Sequence, residues 1–201
     1  MKKFLLAATT AWMLCGANGM SSAHAADTYH FDADHTRILF MIDHAGFSKF
    51  IGGFTKYEGE VNLDFDKPEA SKLLVRIMPD GIDTGLPSFD DKLQGKEFFN
   101  SSEHPVATFK STKVLVTGKN TADVTGDFTL RGVTKPLTLQ VTMNKQGYDK
   151  WRKAYKTGFS IRGAFKRSEW GFDAYVPVVG DEVALMIEAE VERPLKDGES
   201  Y

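Results

Sequence analysis

Stretch after stretch of this chain alternates side-chain character with a period of two. Ile38, Phe40, Ile42 and His44 alternate with Leu39, Met41 and Asp43, and Tyr57, Gly59, Val61, Leu63 and Phe65 with Lys56, Glu58, Glu60, Asn62 and Asp64. Leu73, Val75 and Ile77 enclose Lys72 and Arg76 in the same phase. The pattern returns over Ala122–Leu130, Leu137–Met143, Thr157–Ile161 and Val183–Val191, and Ala107, Phe109 and Ser111 lead into one more such run. One apolar and one wet face at 180° per residue is the signature of half-buried antiparallel strands. Short turn signals lie between the runs, at Asp66-Lys67-Pro68, Gly118-Lys119-Asn120 and Arg131 to Pro136. Connections this short do not leave room for parallel crossovers.

About eight such strands predict an all-β fold, either closed as a barrel or packed as a sandwich. Closure removes both sheet edges, and an eight-stranded barrel is just wide enough to be filled by side chains or to hold one slim ligand. Two stretches break the alternation. Gly46 to Gly53 is glycine-rich and carries Phe47, Phe50 and Ile51. Ser88 to Phe99 reads as a short helical insertion, with Ser88 as its cap, Asp90 and Asp91 in its first turn and Gly95 at its end.

The amino terminus follows a different rule. Lys2 and Lys3 precede an uncharged run from Phe4 to Leu14, and a small, polar stretch then ends in Ala23-His24-Ala25. This is the three-part pattern of a secretory signal peptide. The apolar run is shorter than the roughly 17–25 residues that span a bilayer. The expected division is a cleaved leader over 1–25 and one exported β domain over 26–201, not stably inserted in a membrane. Reading Cys15 as a lipid-attachment site would need small residues before it, and Trp12, Met13 and Leu14 are not small. Cys15 is the chain's one cysteine, so the exported part has no thiol and no disulfide.

Charge and motif exclude more than they assign. The net charge is −2, and losing Lys2 and Lys3 makes the remainder more acidic, so no basic excess suits a nucleic acid. No G-x-S-x-G elbow and no H-E-x-x-H is present. No catalytic or metal set is therefore assigned, and no cofactor. Asp181 and Glu182 read as solvating the turn before the last strand. Arg131, Lys135, Arg162, Lys166 and Arg167 read as a solvated face, unless two of them meet at a barrel mouth. The informative excess is aromatic. All but Phe4 of the 15 phenylalanines follow the leader, several of them outside the alternating runs. They either plug the barrel ends or line the mouth of an apolar tunnel.

Motifs in order narrow these alternatives. His35-Thr36-Arg37-Ile38-Leu39-Phe40 leads to Gly46 and Gly53-Phe54. Ile82-Asp83-Thr84-Gly85, Leu93, Phe98-Phe99, Pro105 and Phe109-Lys110-Ser111 follow. Then come Gly126-Asp127-Phe128-Thr129-Leu130-Arg131-Gly132-Val133-Thr134-Lys135-Pro136-Leu137, Arg167-Ser168-Glu169-Trp170-Gly171 and Gly180-Asp181-Glu182-Val183. From about Tyr29 to Val191 the chain resembles the YceI-like family of bacterial periplasmic, polyisoprenoid-binding proteins. The resemblance implies an extended lipocalin-like barrel with a long apolar cavity. It also implies an isoprenoid quinone, polyprenyl compound or similar long lipid inside, and no enzymatic activity.

Strand phase and these motifs together predict a tunnel lined by Phe40, Ile42, Val75, Ile77, Phe109, Phe128, Leu139, Phe159, Ile161 and Leu185. The mouth is expected to carry Phe47, Phe54, Phe89, Leu93, Phe98, Phe99 and Trp170, with His44 as the polar group facing a head group. Two other classes of function stay open: an enzyme using an inward His44, and a stress-response barrel packed solid. A fatty acid or fatty amide is the alternative cargo. A homodimer is among the arrangements left open.

Overall fold

The computed structural model describes residues 26–196 and 199. The expected leader, 1–25, lies outside the described residues. The elements are β1 (Asp27–Phe31), β2 (Arg37–His44), β3 (Ser48–Phe54), β4 (Tyr57–Leu63), β5 (Lys72–Ile77), β6 (Ile82–Asp83), α1 (Pro87–Gln94), β7 (Ala107–Val116), β8 (Thr121–Leu130), β9 (Val133–Asp149), β10 (Ala154–Lys166) and β11 (Val179–Pro194).

All strand pairings are antiparallel, in the order β1-β4-β5-β7-β8-β9-β10-β11-β2-β3-β6, and β1 pairs with β11 as well. The topology is simpler than eleven labels suggest. β1 and β2 run along one edge of β11, through Phe31↔Val191 and then Arg37↔Glu188 to His44↔Val179. β4 and β3 pair with β1 and β2 in turn, and β5 and β6 pair with β4 and β3. Each of these three couples is one bent strand position. With β7 to β11 they make eight positions, an up-and-down meander closed into a barrel. The predicted all-β barrel with one short helix is the observed fold.

Local chemistry explains the bends. Between β1 and β2 the chain leaves β11, and the buried Thr36 hydroxyl takes over its hydrogen bonding. It donates to the Glu190 carbonyl and accepts from the Glu190 N–H, both at 3.2 Å. β3 corrects the expectation that Gly46–Gly53 interrupts the sheet, because residues 48–54 pair with β2 from His44↔Ser48 to Ile38↔Phe54. The turn itself is only residues 45–47, with Ala45 and Gly46 at positive φ and the Gly46 N–H on the Asp43 carboxylate. Gly52 is not a turn residue. A Cβ there would sit 2.5 Å from Phe40 Cζ, so the missing side chain is what lets that ring lie across β3.

The helix also differs at its start. It begins with Pro87, whose fixed φ suits the first turn, and the N-cap is Leu86 rather than Ser88, with no side-chain capping bond. Asp90 is more than a first-turn charge. Its Oδ1 accepts from the Thr84 N–H at 2.9 Å and from the Thr84 hydroxyl at 2.6 Å, which ties the helix to the end of β6. Gly95 ends the helix as expected, donating to the Lys92 carbonyl. Phe98 and Phe99 follow, packed edge-on to Phe172.

The larger core cluster joins Phe98, Phe99, Phe109, Phe128, Leu137, Leu139 and Trp170 around one half of the barrel. A smaller one centres on Tyr29, Val61 and Val191 in the other half. Each buried large apolar side chain contributes on the order of 1.5–3 kcal/mol.

Candidate functional site

The barrel is not packed solid. One cavity of about 560 Å³ fills the half nearest α1, and a second of about 280 Å³ fills the other half. Ile38 and Ile187 line both, so two apolar chambers meet end to end at a waist of branched side chains. Inward positions of all eight strand positions supply the walls, as a period of two requires.

The sequence-predicted residues fall into three groups. The larger chamber is lined by Phe40, Ile42, His44, Phe54, Val75, Ile77, Phe89, Leu93, Phe98, Phe99, Phe109, Phe128 and Leu185. Phe159 and Ile161 line the smaller one. Phe47, Leu139 and Trp170 line neither chamber. Phe47 sits on the β2–β3 turn and is 90% exposed, because the turn carries it outward past the last paired residues. Leu139 has the expected inward phase and is buried, but it fills the space over Gly163, where a Cβ would meet its Cδ2 at 2.6 Å. Trp170 is buried in a 3-10 turn over Arg167–Trp170. Its indole N–H donates to the Phe128 carbonyl at 3.2 Å, and its ring packs on Phe128 and Phe165 behind the chamber wall.

The larger chamber's basic lining groups are His44, Lys92 and Arg167, while Asp64, Lys72 and Lys119 line the smaller chamber at the other end. His44 is exposed at the rim, in the inward phase predicted for it. Lys92 reaches from α1 and holds its ammonium 5.3 Å from the Tyr175 ring centre and 5.6 Å from that of Phe98. Arg167 corrects the reading of a solvated basic residue. It is 2% exposed, lines the chamber, and donates to the carbonyls of Gly180, Phe172 and Val179 at 2.9, 3.0 and 3.1 Å. Burial draws its pKa below the usual guanidinium value, opposed by the Asp181 charge. Asp181 likewise does more than solvate a turn, since its carboxylate accepts from the Ser168 N–H and hydroxyl at 2.9 and 2.8 Å.

Reasoning from sequence missed Lys92, Phe172 and Tyr175 as lining residues. Residues 171–178 have no period, and the helical stretch marked a face but not the reach of Lys92. The second chamber was also missed as a separate space. Its walls, including Val61, Leu63, Val124, Val141 and Val191, were in phase, but phase carries no depth.

A cluster of charge lies near the β1–β2 bend. The ligand atoms of Asp32, His35 and Glu190 lie within 4.8 Å of one another, which is metal-like spacing. A cation is already in place there, because Lys156 Nζ is 2.7 Å from Asp32 and 2.6 Å from Glu190. Arg152 adds a contact of 3.0 Å to Asp32. Burial of Asp32 works to raise its pKa. The hydrogen bonds from Lys156 and His35 overcome that and hold the carboxyl well below the usual carboxylate range.

Known proteins share this architecture. The YceI-like domain profile matches residues 29–191. A UPF0312 protein of Pectobacterium carotovorum is 38% identical over 192 residues, covering 94% of this chain and 97% of its own. The crystal structure of a Campylobacter jejuni YCEI protein superposes with a TM-score of 0.68 at 27% identity, over 76% of this chain and 90% of its own. A polyisoprenoid binding domain from Saccharophagus degradans has the same fold, with a TM-score of 0.63 at 14% identity over 83% of this chain and 98% of its own. The profile match over most of the chain, the shared fold and the matched length agree, and the chain belongs to the YceI-like family.

Proposed function

We propose that this protein is a periplasmic binding protein that holds an isoprenoid quinone or polyprenyl lipid in its barrel, for transport, storage or metabolism. The observation that carries the reading is the pair of largely apolar chambers in line, long enough together for an extended chain and with a few ionisable groups at the larger chamber's mouth. A prenyl chain offers no hydrogen bonds, so affinity comes from apolar burial at about 0.8 kcal/mol per carbon group. Head-group selection falls to His44, Lys92 and Arg167. The polyisoprenoid-binding designation of the Saccharophagus degradans domain supports the same cargo class. No helix among the described residues is long and apolar enough to cross a membrane, which suits a carrier that encloses its lipid.

Mass spectrometry of lipids extracted from protein purified without detergent tests this. A quinone or polyprenyl species at about one per chain is the expected result. A fatty acid or fatty amide would keep the binding barrel and replace its cargo class. An empty protein that also refuses added quinone would overturn the reading.

A further inference from the structure

The two ends of the barrel differ in chemistry. At the end away from α1, the connections read Asp64-Phe65-Asp66-Lys67, Gly118-Lys119-Asn120 and Asp149-Lys150-Trp151-Arg152-Lys153. Every one is charged. At the α1 end, three segments carry no Asp, Glu, Lys or Arg: the β2–β3 turn with its flanks (44–48), the stretch leading into α1 (84–89) and the stretch leading into β11 (174–180).

These three segments touch one another and surround the larger chamber. The Ala45 N–H donates to the Val178 carbonyl at 3.0 Å. Phe50, just past the first segment, packs edge-on to Phe89 of α1 at 5.4 Å. Lys92 of α1 lies over Tyr175. The apolar tips point to solvent, with Phe47 90%, Val178 66%, Leu86 57% and Tyr175 54% exposed. Leu86 and Tyr175 also line the chamber, so the exposed apolar rim is continuous with the lumen at these residues. A connected apolar surface of this kind marks an interaction site.

We infer that this rim is a docking surface for the lipid–water interface of a bilayer. The continuity of rim and lumen argues for that occupant, because a chain moving between bilayer and chamber never meets water. Tyr175 and Lys92 fit the same place, since an amphipathic ring and a long-stemmed ammonium both favour the head-group layer. With an acidic chain and apolar tips at the rim, the attachment is apolar rather than electrostatic, so salt does not release it. The inference rests on the lipid-holding reading for its purpose, not for its test.

The test is flotation of the protein, purified from its host in the form in which it accumulates, with phosphatidylcholine vesicles at low and high salt. Phe47→Asp and Val178→Asp alter exposed residues outside the chamber lining, so folding, checked by circular dichroism, is retained. Each is expected to weaken vesicle binding about tenfold or more, while Trp151→Asp at the other end leaves it unchanged. Absent vesicle binding, equal binding by all variants, or loss on Trp151→Asp instead would overturn the inference. So would a dimer that Phe47→Asp dissociates and that ignores vesicles, since a second copy would then cover the rim. Vesicle binding by a protein that yields no extractable lipid leaves the docking surface standing and removes the cargo.

Discussion

Single residues set the extremes of this molecule. Asp32, with its side chain 2% exposed, pairs with Lys156, Arg152 and His35 at once, so removing its charge weakens a whole network. Asp32→Asn is expected to cost about 3 kcal/mol, measured by denaturant unfolding. The pH dependence follows from the depressed pKa of Asp32. Its stabilising contribution is complete above its unfolded pKa of about 4 and is lost as pH falls toward the native value. The gap between wild type and Asp32→Asn should hold from neutral pH down to about pH 4 and shrink below it. Arg167→Met leaves three inward-drawn carbonyls without a donor and is expected to cost on the order of 3 kcal/mol in the same assay, whereas Arg131→Met is near neutral. Neither role was legible in the sequence. A basic residue in a chain of 25 Lys and Arg looks like surface, and only the fold brings the carbonyls of Phe172, Val179 and Gly180 to Arg167.

Among the elements, the strands whose period was clean were legible, and those whose period was broken for a reason were not. β8 and the inner half of β9 alternate without exception, and their register runs unbroken from Thr121↔Thr142 to Leu130↔Val133. β3 has two glycines in seven residues, which weakens any strand pattern, yet they are there to accept side chains from β2. Gly52→Ala tests this. Its Cβ must push the Phe40 ring into the chamber, at about 1–3 kcal/mol of overpacking. In a Phe40→Leu background the same change should cost measurably less, and equal costs in both backgrounds would separate Gly52 from Phe40. The start of α1 was misplaced because Ser88 is an ordinary cap residue, while Pro87 occupies the first helical position without needing one.

At the scale of the whole molecule, period and turn length were enough to forecast an antiparallel all-β domain, and the motif order to forecast its family and its closure into a barrel. Depth along the barrel axis was not legible, because residues on every inner face obey the same period whichever chamber they reach. Ala189 shows what depth decides. It is 4% exposed and lines the smaller chamber, so Ala189→Phe should occupy that chamber and leave the larger one intact. The lipid recovered from this variant is expected to shift to shorter chains by mass spectrometry, and an unchanged length distribution would place the tail elsewhere. The waist at Ile38 and Ile187 has a further consequence for stoichiometry. Short amphiphiles can settle one in each chamber, but a chain that crosses the waist claims both. Calorimetric titration with alkyl detergents of increasing length should therefore pass from two sites per protein to one. The length at that crossover measures how far the tail must reach to bridge the two isoleucines.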